Sequence, residues 1–172
     1  MNFSIAATMR RLWSPQHKIS CSWLLWLKLL SALRERGRGC SRESGAFLLG
    51  HRSADATRIA DFALYDDIDP HALDTGIVRL DGRHFGVLWD ICKKRQLAVV
   101  ADVHVHPGSA EQSDSDRAHP IISNAGHIAF VLPRFAKSAL RSSDIGIYQY
   151  LGAKKWHTVP PPQRRAFFHI GL

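Results

Sequence analysis

Cysteine is sparse in this chain. Cys21, Cys40 and Cys92 are the only three among 172 residues. They are far apart, odd in number and form no C-x-x-C pair. That argues against a disulfide-stapled secreted fold and against a thiolate zinc cluster, and favours a reducing cytoplasm. No glycine-rich phosphate loop is present, so nucleotide binding by that route has no support. Acidic residues are outnumbered, 15 against 23 Lys plus Arg, which leaves a formal charge of +8. A charge of that sign suits an acidic protein partner, a nucleic acid or an anionic surface, without choosing among them. Long apolar runs are also missing. Ile19 to Leu33 comes nearest, and Arg10, Arg11 and Lys18 before it give it the look of a signal peptide. Lys28 interrupts it, it is short for a bilayer, and no small-residue cleavage site follows. The expectation is a cytoplasmic protein with no membrane segment.

What is present fits one globular domain. Residues 1–18 are basic and weakly periodic and read as an N-terminal arm. From Ser20 the pattern becomes helical, with Trp23, Leu24, Leu27, Leu30 and Leu33 at three- and four-residue spacing. Leu25, Trp26 and Leu29 widen that apolar face. Arg34 and Arg36 suit the negative end of the helix dipole, and Gly37 suits its C-cap. Glu43 to Gly50 reads as a buried strand and Arg58 to Tyr65 as a second, followed by an acidic turn at Asp66-Asp67-Ile68-Asp69-Pro70. Gly76 to Leu80 reads as a short strand. Residues 84–95 read as a helix with Phe85, Leu88, Trp89 and Cys92 on one face. Leu97 to His106, His127 to Leu132 and Ile145 to Leu151 read as strands. Pro160-Pro161-Pro162 stops regular structure, leaving a short aromatic tail. The order is mixed α+β, with a main domain over 19–158 and a C-terminal tail over 159–172.

The stretch that carries chemistry is Ala101-Asp102-Val103-His104-Val105-His106-Pro107. Side chains alternate along a strand, so the two valines enter the core while both imidazoles share the opposite face, within reach of one metal ion. Pro107 then ends the strand. Ser113-x-x-Asp116 has the spacing of a helix N-terminus with Ser113 as N-cap. Asp116 then falls on the first turn, pointing back toward the strand end, where its carboxylate completes a His, His, Asp set. Three protein ligands with a fourth position left for water is the pattern of catalytic rather than structural zinc. A water so bound needs a base, and Glu43 is the candidate. The Ser113 hydroxyl could also donate to a developing oxyanion, a second role beside that of N-cap.

Glu43…His104-x-His106-Pro107…Ser113-x-x-Asp116 resembles the JAMM motif of the JAB/MPN metalloprotease family. Glu43-Ser44-Gly45-Ala46-Phe47-Leu48-Leu49-Gly50 is similar to that family's E-x-x-G-x-L-x-G opening strand. The resemblance runs from Leu24 to Leu151. It implies a cytidine-deaminase-like, curved mixed β-sheet flanked by helices. It implies Zn2+ held by His104, His106 and Asp116, with Glu43 as general acid/base and Ser113 as oxyanion stabiliser. The implied reaction is peptidase or isopeptidase cleavage at the C-terminus of ubiquitin or a bacterial ubiquitin-like protein. Compact members of this kind resemble bacterial deubiquitinase-like proteins that accompany E1-like and E2-like partners, antiphage systems included. Two alternatives lie within the same fold: a catalytically silent MPN scaffold, and a RadC-like nucleic-acid-associated metal hydrolase, since that branch also carries His-x-His-Pro.

Three departures from the family pattern stand out. The His106–Asp116 loop is one residue short, which makes Asp114 a rival ligand, although only Asp116 keeps the Ser-x-x-Asp relation. Val105 replaces a small hydroxyl residue, on the face away from the metal. Ala46 stands where the opening strand has its first glycine, with Gly45 one place early. Elsewhere plainer readings apply. His84, His119 and His127 read as structural, with His119, within reach of Asp116 along a short helix, an option for supporting the metal's ligands. Asp102 either orients a ligand imidazole or makes a strand-end salt bridge. The Asp66-Asp67-Asp69 turn reads as solvated rather than as a calcium loop, with contact to a basic modifier tail as a weaker idea. Trp156, Phe167 and Phe168 read as packing residues rather than a ligand cage.

Overall fold

A computed structural model describes residues 18–53, 56–137 and 141–171. Apart from Lys18, the arm read over residues 1–18 lies outside them. The strands are β1 (Ile19–Ser22), β2 (Gly45–Arg52), β3 (Thr57–Leu64), β4 (Ala98–Val105), β5 (Ile128–Leu132), β6 (Gly146–Gly152), β7 (Lys155–Thr158) and β8 (Phe168–Gly171). The helices are α1 (Trp23–Arg36), α2 (Tyr65–Ile68), α3 (Phe85–Arg95), α4 (Asp114–Ala118) and α5 (Arg164–Phe167). All eight strands join one curled mixed sheet in the order β7-β6-β5-β4-β2-β3-β1-β8. β4 is antiparallel to β2 and parallel to β5. It therefore sits inside the sheet, with its C-terminal end flanked on both sides. No helix among the described residues is long and apolar enough to cross a membrane.

Helices cover both faces. On one, Trp26, Leu29, Leu30 and Leu33 of α1 pack over Ala101, Val103 and Val105 of β4 and Phe130 of β5. Fully burying an aliphatic or aromatic side chain is worth about 1.5–3 kcal/mol, so this stripe holds α1 in place. On the other face, Leu88 and Cys92 of α3 join Phe47, Leu49 and Tyr65. All three cysteines are free.

Several elements differ from the sequence reading. Residues 19–22 are a strand rather than the start of the helix, because Ser22 caps α1 by accepting the Leu25 N–H. The buried stripe of α1 is also rotated: Leu24 is 79% exposed and Trp23 40%. Two apolar rows repeat with one period in this segment, and contact with the sheet selects the second. β2 begins at Gly45, two residues after Glu43. The acidic turn is the one-turn helix α2, and it is not simply solvated. Arg36 binds Asp66 and Asp67 at 2.8 and 2.9 Å. Buried Asp69 accepts the N–H groups of His71 and Asp81. Gly76 to Leu80 joins no sheet. Beyond Pro160 regular structure resumes, because a proline at the first position of a helix loses no hydrogen bond. A turn at Pro161–Gln163 leads through α5 into β8. Phe168 there packs against Trp26 and Phe130, with ring centroids 5.2 and 4.8 Å apart.

Candidate metal centre

The alternation of β4 builds the centre. Its odd-numbered residues from Ala101 to Val105 fill the core under α1, so Asp102 and His104 face the other way. Gly45 lies opposite His104 across the β2–β4 ladder. It has to be glycine, since a Cβ there would collide with the Tyr65 ring and the Val103 carbonyl. This close approach is the structural use of the glycine that stands one place early in the opening strand. The Val105 N–H donates to Ser44 O at 2.9 Å, which carries the β2–β4 approach past Gly45 toward half-buried Glu43. The Glu43 N–H is itself tied to Gly76 O at 2.9 Å.

The chain then crosses to α4. Tyr148 donates its hydroxyl to Ala110 O at 2.8 Å, and the Ala110 backbone lies so close to Gly146 that no Cβ would fit between them. Ser113 caps α4 with a reciprocal pair: its hydroxyl oxygen accepts the Asp116 N–H at 3.1 Å, and its own N–H donates to Asp116 Oδ2 at 2.7 Å. A hydroxyl that accepts one bond keeps its proton to donate elsewhere. The cap therefore does not use up the donor that an oxyanion would need.

These elements bring His104, His106 and Asp116 together as a group able to hold a metal ion. The two Nε2 atoms are 3.0 Å apart. Asp116 Oδ1 lies 3.5 Å from His104 Nε2, and Oδ2 lies 3.2 Å from His106 Nε2. Ligands about 2.0–2.1 Å from a tetrahedral ion stand ~3.3 Å from one another. The separations lie near that value, the two to Asp116 reaching different carboxylate oxygens, and one donor atom from each residue falls within 4.8 Å of the others, so the donor set suits a single ion. Asp114 is exposed and outside the group.

The field at the centre favours positive charge. Burial pushes the His104 imidazole toward neutrality, but the hydrogen bond and charge of Asp116, with the fields of Asp102 and Glu43, outweigh it and raise its pKa. For Asp116 burial acts upward, while both imidazoles and the Ser113 N–H hold the carboxyl far below the ordinary carboxylate range. A cleft of about 490 Å³ opens beside the centre. His104, Asp116, Gln112, Phe85, Ile121, Arg79 and Trp156 are among the residues that line it. Trp156 also packs on Tyr150 and donates Nε1–H to Arg117 O at 3.2 Å.

Sequence reasoning missed what lies beneath. Asp102 makes no bond to a ligand imidazole, since His104 Nδ1 is buried without a hydrogen-bond partner; its salt-bridge partner is His127, immediately before β5. The Asp102 carboxylate receives the Tyr65 hydroxyl at 2.9 Å and faces His127 Nε2 at 2.6 Å, all buried. Burial, then the Asp102 charge and hydrogen bond, push the Tyr65 hydroxyl pKa well up. The signal was in the parity of Asp102-x-His104-x-His106, since three polar residues on one covered strand face require polar partners. His84 stands 3.8 Å from Asp69, away from the centre, and exposed His119 lines the cleft at the end of α4.

No family model matches the chain. A stretch of 67 residues is 31% identical to "Probable metalloprotease y4jG" of Sinorhizobium fredii, covering 39% of this chain and 41% of that protein. The chain thus matches less than half the length of this curated relative. The solution structure of protein DSY2949 from Desulfitobacterium hafniense superposes with a TM-score of 0.60 and 12% identity, over 88% of this chain and 92% of that one. The second likeness concerns the fold alone.

Proposed function

We propose that this chain is a zinc-dependent metallopeptidase of the JAB/MPN type that cleaves peptide or isopeptide bonds at the C-terminus of a ubiquitin-like protein. The observation that carries the reading is the convergence of His104, His106 and Asp116 as one donor group, of which His104 and Asp116 line a cleft, with Glu43 two residues before Gly45, the residue that pairs with His104 across the β2–β4 ladder. Support comes from the partial match to a protein named as a probable metalloprotease and from the resemblance of the Glu43, His104-x-His106 and Ser113-x-x-Asp116 signature to the JAMM motif. E1-like and E2-like proteins are the partners that this resemblance implies.

Bound in this donor set, zinc supplies a Lewis acid and a water more acidic than bulk water. The residues do the rest. His104, His106 and Asp116 hold the ion, and the Ser113 N–H fixes the carboxylate that faces His106. Glu43 accepts the proton of the attacking water and delivers it to the departing amine. The Ser113 hydroxyl donates to the oxyanion of the tetrahedral adduct. The cleft receives the chain that bears the scissile bond.

The test is to incubate the zinc-loaded chain with a bacterial ubiquitin-like protein carrying a C-terminal extension, and with the same modifier conjugated to a lysine. Mass spectrometry then locates the cut. Cleavage directly after the modifier's last residue, abolished in His106→Ala, is the expected result. Full zinc loading with neither substrate cut would overturn the assignment.

A further inference from the structure

Near the centre, one stretch of backbone adopts a conformation that its residues disfavour. Arg134, Phe135 and Ala136 have φ of 52°, 52° and 61°. Three consecutive non-glycine residues in the left-handed region carry a steric penalty at each position. Such a run persists only where its surroundings over-determine it, and strain of this kind collects at functional sites.

The hydrogen bonds of this turn lead to His106. Phe135 N–H donates to the His106 carbonyl at 2.8 Å, and Arg134 N–H donates to the Gly108 carbonyl at 3.0 Å. The His106 N–H donates to Leu132 O at 2.9 Å. Both polar groups of the His106 backbone are therefore bound by one segment, residues 132–135. The far end of that segment is fixed from α1: Arg34 donates to the carbonyl of buried Ala136 through Nη2 at 2.7 Å and Nε at 3.3 Å. From the sequence, Arg34 served only the helix dipole. In the fold its guanidinium reaches across the core edge to the strained turn.

We propose that Arg34 is a positioning residue for the metal centre: it holds the left-handed turn at 134–136, and the turn fixes where His106 presents its imidazole. The inference rests on His106 being a metal ligand. A guanidinium suits the task because two donors in a fixed fork meet one carbonyl, which a lysine cannot reproduce.

Cobalt(II) provides the test, since its visible absorption reports coordination geometry as well as binding. The full chain is compared with Arg34→Met, Arg34→Met/Ala136→Gly and His106→Ala. Methionine keeps much of the apolar stem and removes both donors. Arg34→Met is expected to weaken cobalt binding about tenfold, the usual lower range for residues that support a ligand, and to change the absorption bands. Glycine at 136 accepts positive φ without steric cost, so the double variant is expected to recover most of the lost affinity. A merely structural role for Arg34 would show no such rescue. Wild-type affinity and spectrum in Arg34→Met would overturn the proposal, as would an equal loss in the double variant. Undiminished binding by His106→Ala would overturn the ligand assignment, and the proposal with it. If circular dichroism shows Arg34→Met unfolded, Arg34→Lys replaces it, and wild-type binding by that folded variant would overturn the two-donor clamp.

Discussion

His127 Nε2 stands 2.6 Å from Asp102 Oδ1, with both side chains sealed from solvent. The Tyr65 hydroxyl takes the second carboxylate oxygen. Deleting one hydrogen-bonding partner of a buried carboxylate costs about 1.5–3 kcal/mol, and His127→Leu also replaces a buried ring by a side chain of another shape, whereas Tyr65→Phe keeps its ring. His127→Leu should therefore destabilise the protein more than Tyr65→Phe, measured by urea unfolding at pH 7. Equal losses would show that the His127–Asp102 contact is worth no more than the Tyr65–Asp102 bond.

The donor set also predicts stoichiometry. Elemental analysis should find about one zinc per chain, as expected for a single three-ligand site, and none in His106→Ala. Because an ion that binds only the native state stabilises it by about 2.7 kcal/mol at a hundredfold excess over Kd, zinc should raise the melting temperature of the stripped wild type and leave that of His106→Ala unmoved. A zinc-free wild type after reconstitution would remove the metal reading.

Glu43 and Ser113 can be separated from the ligands by substitutions that spare the scaffold. Glu43→Gln should retain zinc and lose turnover by roughly 10²–10⁴, the range for a general acid/base. Ser113→Gly keeps a tolerated N-cap, at a cost of only a few tenths of a kcal/mol, but lacks the hydroxyl. Its kcat on a modifier fusion should fall about 10²–10³ while its melting temperature hardly changes. A kcat that tracks stability instead would confine Ser113 to capping.

Asp69 gives a pH dependence away from the centre. Burial alone would raise its carboxyl pKa, but the N–H groups of Asp81 and His71, with His84 nearby, outweigh it and hold it below its usual value. A pKa depressed in the folded state contributes stability that is present above the unfolded value, near pH 4, and is lost as pH falls through the folded one. Acid titration of stability should therefore be shallower below pH 4 in Asp69→Asn than in the wild type. Parallel acid limbs would refute the linkage.

The sequence made the strand pattern and the donor set legible for a physical reason. Strand parity puts His104 and His106 on one face whatever else the fold does, and a Ser-x-x-Asp cap puts Asp116 on a first helical turn. Both patterns can be read from neighbouring residues alone, although contacts distant in sequence then fix where His106 sits. What escaped depends on them. β1 and β8 are four-residue strands, too short to show a period, and they exist because each completes a neighbour's ladder. The face of α1 was ambiguous because the sheet, not the helix, selects the row to be buried. Tyr65 and His127 lie 37 and 25 residues from Asp102, and no local spacing joins them. Arg34 meets a carbonyl 102 residues away.

The pairing of Ile19 with Phe168, on the side of β1 away from β3, has a consequence for how the chain folds. Translation delivers β1 and α1 long before the strand that shields them. Until β8 arrives, β1 is an open edge with its hydrogen-bonding groups unsatisfied on one side, and Trp26 and Phe130 lack the ring that seals them. Ladders of such long sequence separation close slowly, because the loop entropy is lost before any contact repays it. The growing chain therefore presents a sticky edge until residues 168–171 have been added, and soluble yield should be governed by those residues more than by any ligand of the metal.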